Sequence, residues 1–326
     1  PSQSSAASDV YKRQSQNRFP SLKFDVGAVN SILQRFFPAG FYYKTFMWPA
    51  SMWMTYEHVI RNAAGLGKVA DDHNDPDRYE KTNAHCDVLI AGGGGAGLMA
   101  ALQAGRSGAR VILADEQNEF GGWLLGESDT TIDGKAPADW VAGVVAELEA
   151  MPEVTLLPRT TVFGYMDHNY ITLTERVTDH LGERPAHLPR QRMWKVRAGQ
   201  TVLAQGAHER PLVFSGNDLP GVMLSGAVRS YITRYGVVPG NRTVVFTNND
   251  DAYRTALALH GAGAHVVVVD LRRDLKGELV KAVRAAGIEV MSGSAVTIAA
   301  GTQRIARVEI SPVNEGATQV LDDPIH

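Results

Sequence analysis

Cysteine is nearly absent from this sequence, since Cys86 is the one cysteine among 326 residues. A single thiol excludes a disulfide within the chain and any zinc or iron–sulfur site built from several cysteines. No H-E-x-x-H motif or other close set of histidine and acidic residues indicates a metal site either. Sparse cysteine is typical of reducing compartments, which predicts a cytoplasmic protein.

Long hydrophobic runs and an excess of basic charge are also missing. No apolar stretch reaches the roughly 18 residues of a membrane-spanning helix, and the start of the chain does not read as a secretory signal. The net charge is -3, and no basic stripe indicates nucleic-acid binding. With 44% hydrophobic and 21% charged residues, the chain is expected to be globular, with more than one domain.

Composition changes along the chain predict six segments. The chain lacks an initial Met and stops just after a strand-like stretch, so we expect it to be part of a longer protein. The segments are a disordered or foreign tail (1–16), an aromatic arm that ends an N-terminal domain (17–68), a polar linker (69–85), a dinucleotide-binding domain with an antiparallel β excursion (86–240), a second, degenerate nucleotide-fold domain (241–300), and a truncated return strand to the first domain (301–326).

Two strand–helix–strand units predict an α/β fold. The first reads "CDVLIAGGGGAG", "LMAALQAGRSG" and "ARVILADE", and the second begins at Asn241 with "RTVVFT", "DAYRTALALHGAG" and "HVVVVDLR". Such βαβ units form parallel sheets. Two of them around a β-rich stretch predict two Rossmann-like FAD/NAD(P)-binding units, as in flavoproteins with two dinucleotide domains.

The strongest motif is a glycine turn between the first strand and its helix. Gly92, Gly94 and Gly97 have the G-x-G-x-x-G spacing, which lets a pyrophosphate reach the start of the helix. Asp115 follows Gly97 by 18 positions, at the end of the next strand, where an acid binds ribose hydroxyls. Glu116 is expected to share or replace that role. A carboxylate there disfavours NADP and leaves NAD and FAD open.

Further glycines are candidates for the same site. Gly95 and Ala96 lie inside the turn, and Gly121 with Gly122 offers a second place where backbone can approach a pyrophosphate. Gly206 ends a later strand, at the edge of the sheet where open α/β proteins bind ligands.

The polar loop after Gly206 carries three ionisable side chains, and the second unit lacks a glycine turn. His208, Glu209 and Arg210 form no convincing catalytic set, so the catalytic residues remain unknown. In "TNNDDAYRTA" no glycine lets a phosphate approach, and Asp250 and Asp251 would repel one. We therefore interpret the second unit as structural, even though Asp270 keeps the ribose-acid position.

Several stretches together resemble the alpha subunits of heterotetrameric sarcosine oxidases, from about Pro20 to about Val313. They are "FDVGAVNSILQRFFPAGFYYKTFMWP", "CDVLIAGGGGAG", "ILADEQNEFGG", "GAHERPLVFSGNDLPGVMLSGAV" and the "TNNDD" unit. The "GAHERP" segment is also similar to subunits of opine oxidase, hydrogen cyanide synthase and dye-linked amino acid dehydrogenase. Two residues depart from the family pattern: Gly95 replaces a usual proline, and Gln205 a usual threonine.

The resemblance implies a component of an oxidoreductase complex that acts together with beta-, gamma- and delta-type subunits. Such complexes oxidise sarcosine to glycine by way of an imine, form hydrogen peroxide, and pass a one-carbon unit to tetrahydrofolate in a domain that this chain lacks. NAD would be held by Gly92, Gly94, Gly97 and Asp115, with Gly121, Gly122 and Gly206 lining its site. FMN would lie at the interface with a partner, and FAD on a partner.

Two alternatives stay open. In one, the chain is an FAD-binding subunit of an opine dehydrogenase, amino acid dehydrogenase or cyanide synthase complex. In the other, it is a nucleotide-stabilised scaffold for partner subunits. In each case we expect this chain to be inactive alone.

Overall fold

The computed structural model describes residues 20–21, 24, 26, 48–63, 75, 77–128, 130–301, 304–313 and 319–321. The chain divides into two compact units, one made of residues 1–78 and 180–188, and the other of residues 79–179 and 189–326. The expected tail (1–16) and most of the aromatic arm (17–68) lie outside the described residues.

The described part of the first unit holds one turn of 3-10 helix, Ala50–Met52, followed by helix α1, Trp53–Ala63. Trp48 before these helices is 81% exposed, and Met54 within α1 is also largely exposed. In the same unit, Arg184 donates to a carboxylate oxygen of Asp77 at 2.5 Å.

The second unit begins with a six-stranded mixed sheet in the order β3-β2-β1-β6-β5-β4. Its strands are β1 (Tyr79–Ala91), β2 (Val111–Ala114), β3 (Val154–Leu157), β4 (Thr160–Met166), β5 (Tyr170–Arg176) and β6 (Gln191–Leu203). Strands β1, β2, β3 and β6 run parallel, while β5 pairs antiparallel with both β6 and β4. The expected antiparallel excursion is therefore part of the same sheet.

Alternate side chains of β1 pack on opposite faces of this sheet, as strand geometry requires. Ile90 packs with Leu98 and Leu113 beneath helices α2 (Gly95–Arg106) and α3 (Pro137–Glu149). Leu89 packs with buried residues of β5 on the other face. Gly108, at φ +80°, lets the chain turn after α2 and enter β2.

A second, smaller nucleotide fold follows helix α4, Ser225–Tyr235. Strands β7 (Arg242–Thr247), β8 (His265–Asp270) and β9 (Glu289–Ser292) form a parallel sheet. Helices α5 (Asp251–Gly261) and α6 (Glu278–Ala285) connect these strands. The predicted α/β class with two Rossmann-like units is thereby confirmed.

Two predicted boundaries differ from the structure. The linker was expected to reach residue 85, but β1 already begins at Tyr79 and pairs with β6 from Tyr79 and Gln191 onward. This pairing spans more than a hundred positions of the chain, so local composition carried no sign of it.

The return strand expected over 301–326 is wrong for the residues that the structure describes. β11 (Ile305–Pro312) pairs with β10 (Ser294–Gly301) and β12 (Gln319–Leu321) in a separate three-stranded sheet. Its apolar face, Val308 and Ile310, packs on Val267 and Val269 of β8. The hairpin thus covers the second nucleotide fold instead of extending the first sheet.

Candidate functional site

The glycine turn lies between the end of β1 and the start of α2, and two of its glycines have no room for a side chain. Gly92 has φ +104°, and a Cβ on it would lie 2.4 Å from the Ala204 carbonyl oxygen. A Cβ on Gly97 would lie 1.8 Å from the Gly92 carbonyl oxygen. These contacts bring β1, α2 and the end of β6 together, which is the role expected of the first and third motif glycines.

The middle motif glycine faces open space. A Cβ built on Gly94 meets no described atom within 4 Å. The N-cap residue Gly94 has no side chain to cap α2, and no other side chain in the described part of the chain does so, which leaves the first backbone N–H groups of this helix for a ligand. An uncapped helix start beside an open glycine is suited to a phosphate group, since the helix dipole favours an anion there.

The second glycine pair contacts this turn directly. The Gly121 N–H donates to the Gly93 carbonyl oxygen at 2.8 Å, and Gly121 also forms a parallel bridge with Gly94. A Cβ on Gly122 would lie 3.2 Å from the Gly94 Cα. The structure therefore brings together the two glycine segments that the sequence placed about thirty positions apart.

The remaining candidate residues surround the turn. The side chain of Leu124 lies 3.1 Å from a Cβ built on Gly95. Ala96 is exposed in the first turn of α2. The Ala204 N–H donates to the Ala91 carbonyl oxygen at 2.8 Å, which places the end of β6, two residues before Gly206, beside the turn.

The two adjacent acids after β2 have different environments. The Asp115 carboxylate accepts the Gly93 N–H at 2.6 Å through one oxygen and the Gln117 N–H at 2.8 Å through the other. Glu116 is exposed, and its main-chain oxygen accepts a hydrogen bond from Arg176 at 2.5 Å. Asp115 is thus committed to the backbone of the turn, whereas the Glu116 carboxylate is accessible to a ligand.

The "GAHERP" loop contains a contact that the sequence did not indicate. Glu209 accepts the N–H of Ser225 at 2.9 Å and the N–H of Gly226 at 2.7 Å, and so caps helix α4. This cap lies 16 residues away along the chain, beyond the reach of local capping motifs. His208 and Arg210 on either side of Glu209 are exposed.

The ribose-acid position of the second unit is filled by the protein itself. Asp270 is fully buried and accepts the Tyr253 hydroxyl at 2.9 Å and the Arg272 guanidinium at 2.8 Å. Arg272 also pairs with Asp250 at the start of α5, at 2.7 Å. Burial and the Asp270 carboxylate raise the pKa of Tyr253 well above its usual range. This closed network supports the interpretation of the second unit as structural.

Metal clusters and membrane-spanning helices are both missing from the described residues. Within the ranges given above, no three histidine, cysteine or acidic side chains are grouped so that they could hold a metal ion. In the same part of the chain, no helix combines the length and apolar character needed to cross a membrane.

The fold and the turn define a class: an α/β protein with two nucleotide folds, of which the first keeps an open glycine turn. The family of pyridine nucleotide-disulphide oxidoreductases matches residues 86–322, and the chain belongs to this family. Because Cys86 is the one cysteine in the sequence and is buried, the chain has no cysteine pair for a redox disulfide.

Relatives confirm the resemblance that the sequence motifs predicted. The alpha subunit of sarcosine oxidase from Rhizobium meliloti (strain 1021) is 57% identical over 261 residues, which are 79% of this chain and 26% of that protein. An opine oxidase subunit from Agrobacterium tumefaciens (strain Ach5) is 31% identical, over 54% of this chain and 35% of that protein. The chain thus spans about a quarter of the sarcosine oxidase subunit that it matches.

Solved structures agree on the fold. Thioredoxin reductase of T. acidophilum superposes with a TM-score of 0.56 at 15% identity, over 74% of this chain and 75% of that one. At this identity the likeness shows a shared fold alone.

Proposed function

We propose that this chain is the NAD-binding part of the alpha subunit of a sarcosine oxidase-type flavoenzyme complex. The observation that carries the proposal is the uncapped glycine turn with Gly94 open and Glu116 accessible, in a chain 57% identical to the alpha subunit of a sarcosine oxidase. The turn supports binding of a dinucleotide, and the identity supports the choice of complex.

The residues fit the two polar parts of an adenine dinucleotide. The N–H groups at the start of α2 would receive the pyrophosphate next to Gly94, with Gly121 and Gly122 on its other side. Glu116 would accept the ribose hydroxyls, and its negative charge would repel the 2′-phosphate of NADP. Asp115 would hold the turn in the shape that this requires, by accepting the Gly93 N–H. NAD, when bound, supplies a nicotinamide ring.

The rest of the reaction belongs to a larger assembly in this proposal. Beta-, gamma- and delta-type subunits would supply the FAD and complete an FMN site at their interface with this chain. The complex would oxidise sarcosine to glycine and release hydrogen peroxide, with the one-carbon unit passed to tetrahydrofolate. Among the described residues we find no catalytic set of side chains, which agrees with a cofactor-holding role for this chain.

The experiment that tests the cofactor is release of the bound nucleotide from the purified chain by denaturation, followed by identification by mass. A colourless protein that releases NAD supports the proposal. A yellow protein that releases FAD would assign the turn to a flavin, as in the alternative dehydrogenase or cyanide synthase subunits. A chain that neither carries nor binds a nucleotide would leave only the scaffold role.

The complex is tested by co-expression of this chain, within its full-length subunit, with the other three subunits. The proposal predicts sarcosine-dependent formation of hydrogen peroxide. A complex that oxidises an opine and leaves sarcosine unchanged would contradict the proposed substrate.

A further inference from the structure

A large cavity lies at the second nucleotide fold, apart from the glycine turn. Its volume is about 950 Å³, and it opens at the carboxyl end of β7 and the start of α5, where open α/β sheets bind ligands. The segment after Gly206 and Trp123 form the opposite wall. Neither the motif glycines nor Asp115 or Glu116 line it.

Three aromatic side chains line the cavity, from both of its walls. Phe214 and Phe246 pack edge to face, with ring centroids 6.0 Å apart. Trp123 packs against α4, where a Cβ on Gly226 would lie 2.1 Å from its ring. The Arg229 guanidinium covers the Trp123 ring at 5.4 Å. An aromatic lining of this kind is suited to a flat apolar group of a ligand.

The acidic side chains that line the cavity are already paired. Glu209 caps α4 with both oxygens. Glu127 and Asp251 form ion pairs with the nearly buried Arg229, at 3.4 Å and 3.3 Å, and also lie near Arg254. Arg229 is therefore itself paired, with Glu127 and Asp251.

Arg210 is the exception among these charges. In the part of the chain that the structure describes, neither Arg210 nor the neighbouring His208 makes a hydrogen bond or an ion pair, although both line the cavity. Since the other charges described above are paired, the cavity has a positive charge available for a ligand and no acid left to balance it.

A pyrophosphate does not fit at the start of α5. The Asp251 N–H at the start of α5 is taken by the side chain of Asn249 at 3.0 Å. The carboxylates of Asp250 and Asp251 stand where a pyrophosphate would approach, and Arg272 fills the ribose-acid position. A negatively charged ligand of this cavity would therefore carry its charge away from the start of α5.

From these contacts we infer that the cavity binds a small aromatic anion, with its ring on the Trp123 wall and its charged group on Arg210. A carboxylate and a phosphate monoester share this chemistry, since both accept a bidentate pair of hydrogen bonds from a guanidinium. The cavity does not include the motif glycines, Asp115 or Glu116, although Trp123 directly follows Gly122 in the chain.

Calorimetric titration of the full chain tests this site with three probes: benzoate, phenyl phosphate and the uncharged benzyl alcohol. We expect one or both anions to bind at one site per chain, and the alcohol to bind at least about tenfold more weakly, as loss of a charge-assisted hydrogen bond predicts. Tighter binding of benzoate would identify a carboxylate site, and tighter binding of phenyl phosphate a phosphate ester site.

Two variants test whether Arg210 binds the charged group of the ligand. Arg210→Ala is expected to weaken the preferred anion about tenfold or more and to leave the unfolding temperature unchanged, because the side chain has no partner among the described residues. Lys276→Ala, at an exposed cation outside the cavity that pairs with Asp274, is the matched control and is expected to change nothing. Equal binding of the alcohol, anion binding unaffected by Arg210→Ala, or no binding of any probe would overturn the inference.

Discussion

Asp115 and Glu116 are neighbours in sequence, yet they have different roles at the end of β2. Asp115 accepts two backbone N–H groups and so fixes the glycine turn to the strand that follows it. Glu116 leaves its carboxylate exposed at the same edge. In the proposed function, the first acid shapes the site and the second binds the ribose.

Substitution of each acid by alanine separates these roles. Asp115→Ala leaves the Gly93 N–H without its acceptor and is expected to lower the free energy of unfolding by about 2 kcal/mol. Glu116→Ala is expected to change it by less than about 0.5 kcal/mol, but to weaken NAD binding by about 1–3 kcal/mol. Urea unfolding and calorimetry measure the two effects. Equal losses of stability in both variants would contradict the division of roles.

The glycines of the turn allow a second comparison at the same scale. Gly97→Ala forces a Cβ against the Gly92 carbonyl oxygen and is expected to cost about 3 kcal/mol or more of stability, as overpacking against backbone does. Gly94→Ala has room within the chain, so its stability should stay near that of the parent while its affinity for NAD falls. Thermal unfolding with and without NAD distinguishes them. Unchanged NAD affinity in Gly94→Ala would show that the ligand does not approach this face of the turn.

Sequence reasoning at this scale found the turn but not its internal contacts. The G-x-G-x-x-G spacing predicted which positions need glycine, because that need arises from local geometry. The spacing did not distinguish the roles of Asp115 and Glu116, since these roles depend on which backbone N–H groups surround each carboxylate. The cap that Glu209 provides to α4 likewise depends on a contact between distant segments.

Among the elements, β1 carries the lone cysteine in its buried half. Cys86 is 4% exposed, and burial raises the pKa of its thiol to about 11, with the nearby Asp87 carboxylate adding to the rise. In the unfolded chain the thiol ionises near its ordinary value of 9.0. Unfolding therefore releases a proton between these two pH values.

This shift predicts how stability depends on pH. The contribution of Cys86 is fully present below pH 9.0 and is lost as the pH rises towards about 11, because only the unfolded state ionises in that range. A shift of this size corresponds to about 2–3 kcal/mol. Urea unfolding from pH 8 to about 11 measures it, with Cys86→Ala as the control. If the difference in free energy between parent and variant stays constant over this range, the thiol is not protected by the fold.

Elements were predicted well where their signal is local. Helices α2 and α5 follow apolar stretches between the predicted strands of the two units, and the structure has them near the expected positions. The start of β1 and the sheet to which β11 belongs differ from the prediction, because both depend on strand pairing. Helix α4 had no prediction, since its start is capped by the distant Glu209 instead of a local residue.

Over the whole molecule, the two nucleotide folds differ in what they leave open. The first ends in an uncapped turn beside an accessible acid, while the second ties its acid to Arg272 and Tyr253. One dinucleotide per chain is therefore expected, even though the family fold repeats the unit. The chain matches about a quarter of the alpha subunit of sarcosine oxidase, so in the proposed function the reaction would also need parts of that subunit that this chain does not match.

The central claim is that the first turn holds one NAD and discriminates against NADP through Glu116. Calorimetric titration of the nucleotide-free chain with NAD and NADP tests it most directly, for the parent and for Glu116→Gln. We expect one NAD per chain, weaker NADP, and a preference for NAD that is reduced about tenfold or more in Glu116→Gln, because the charge that repels the 2′-phosphate is gone. Two NAD per chain, or a preference that is the same in both proteins, would contradict the account.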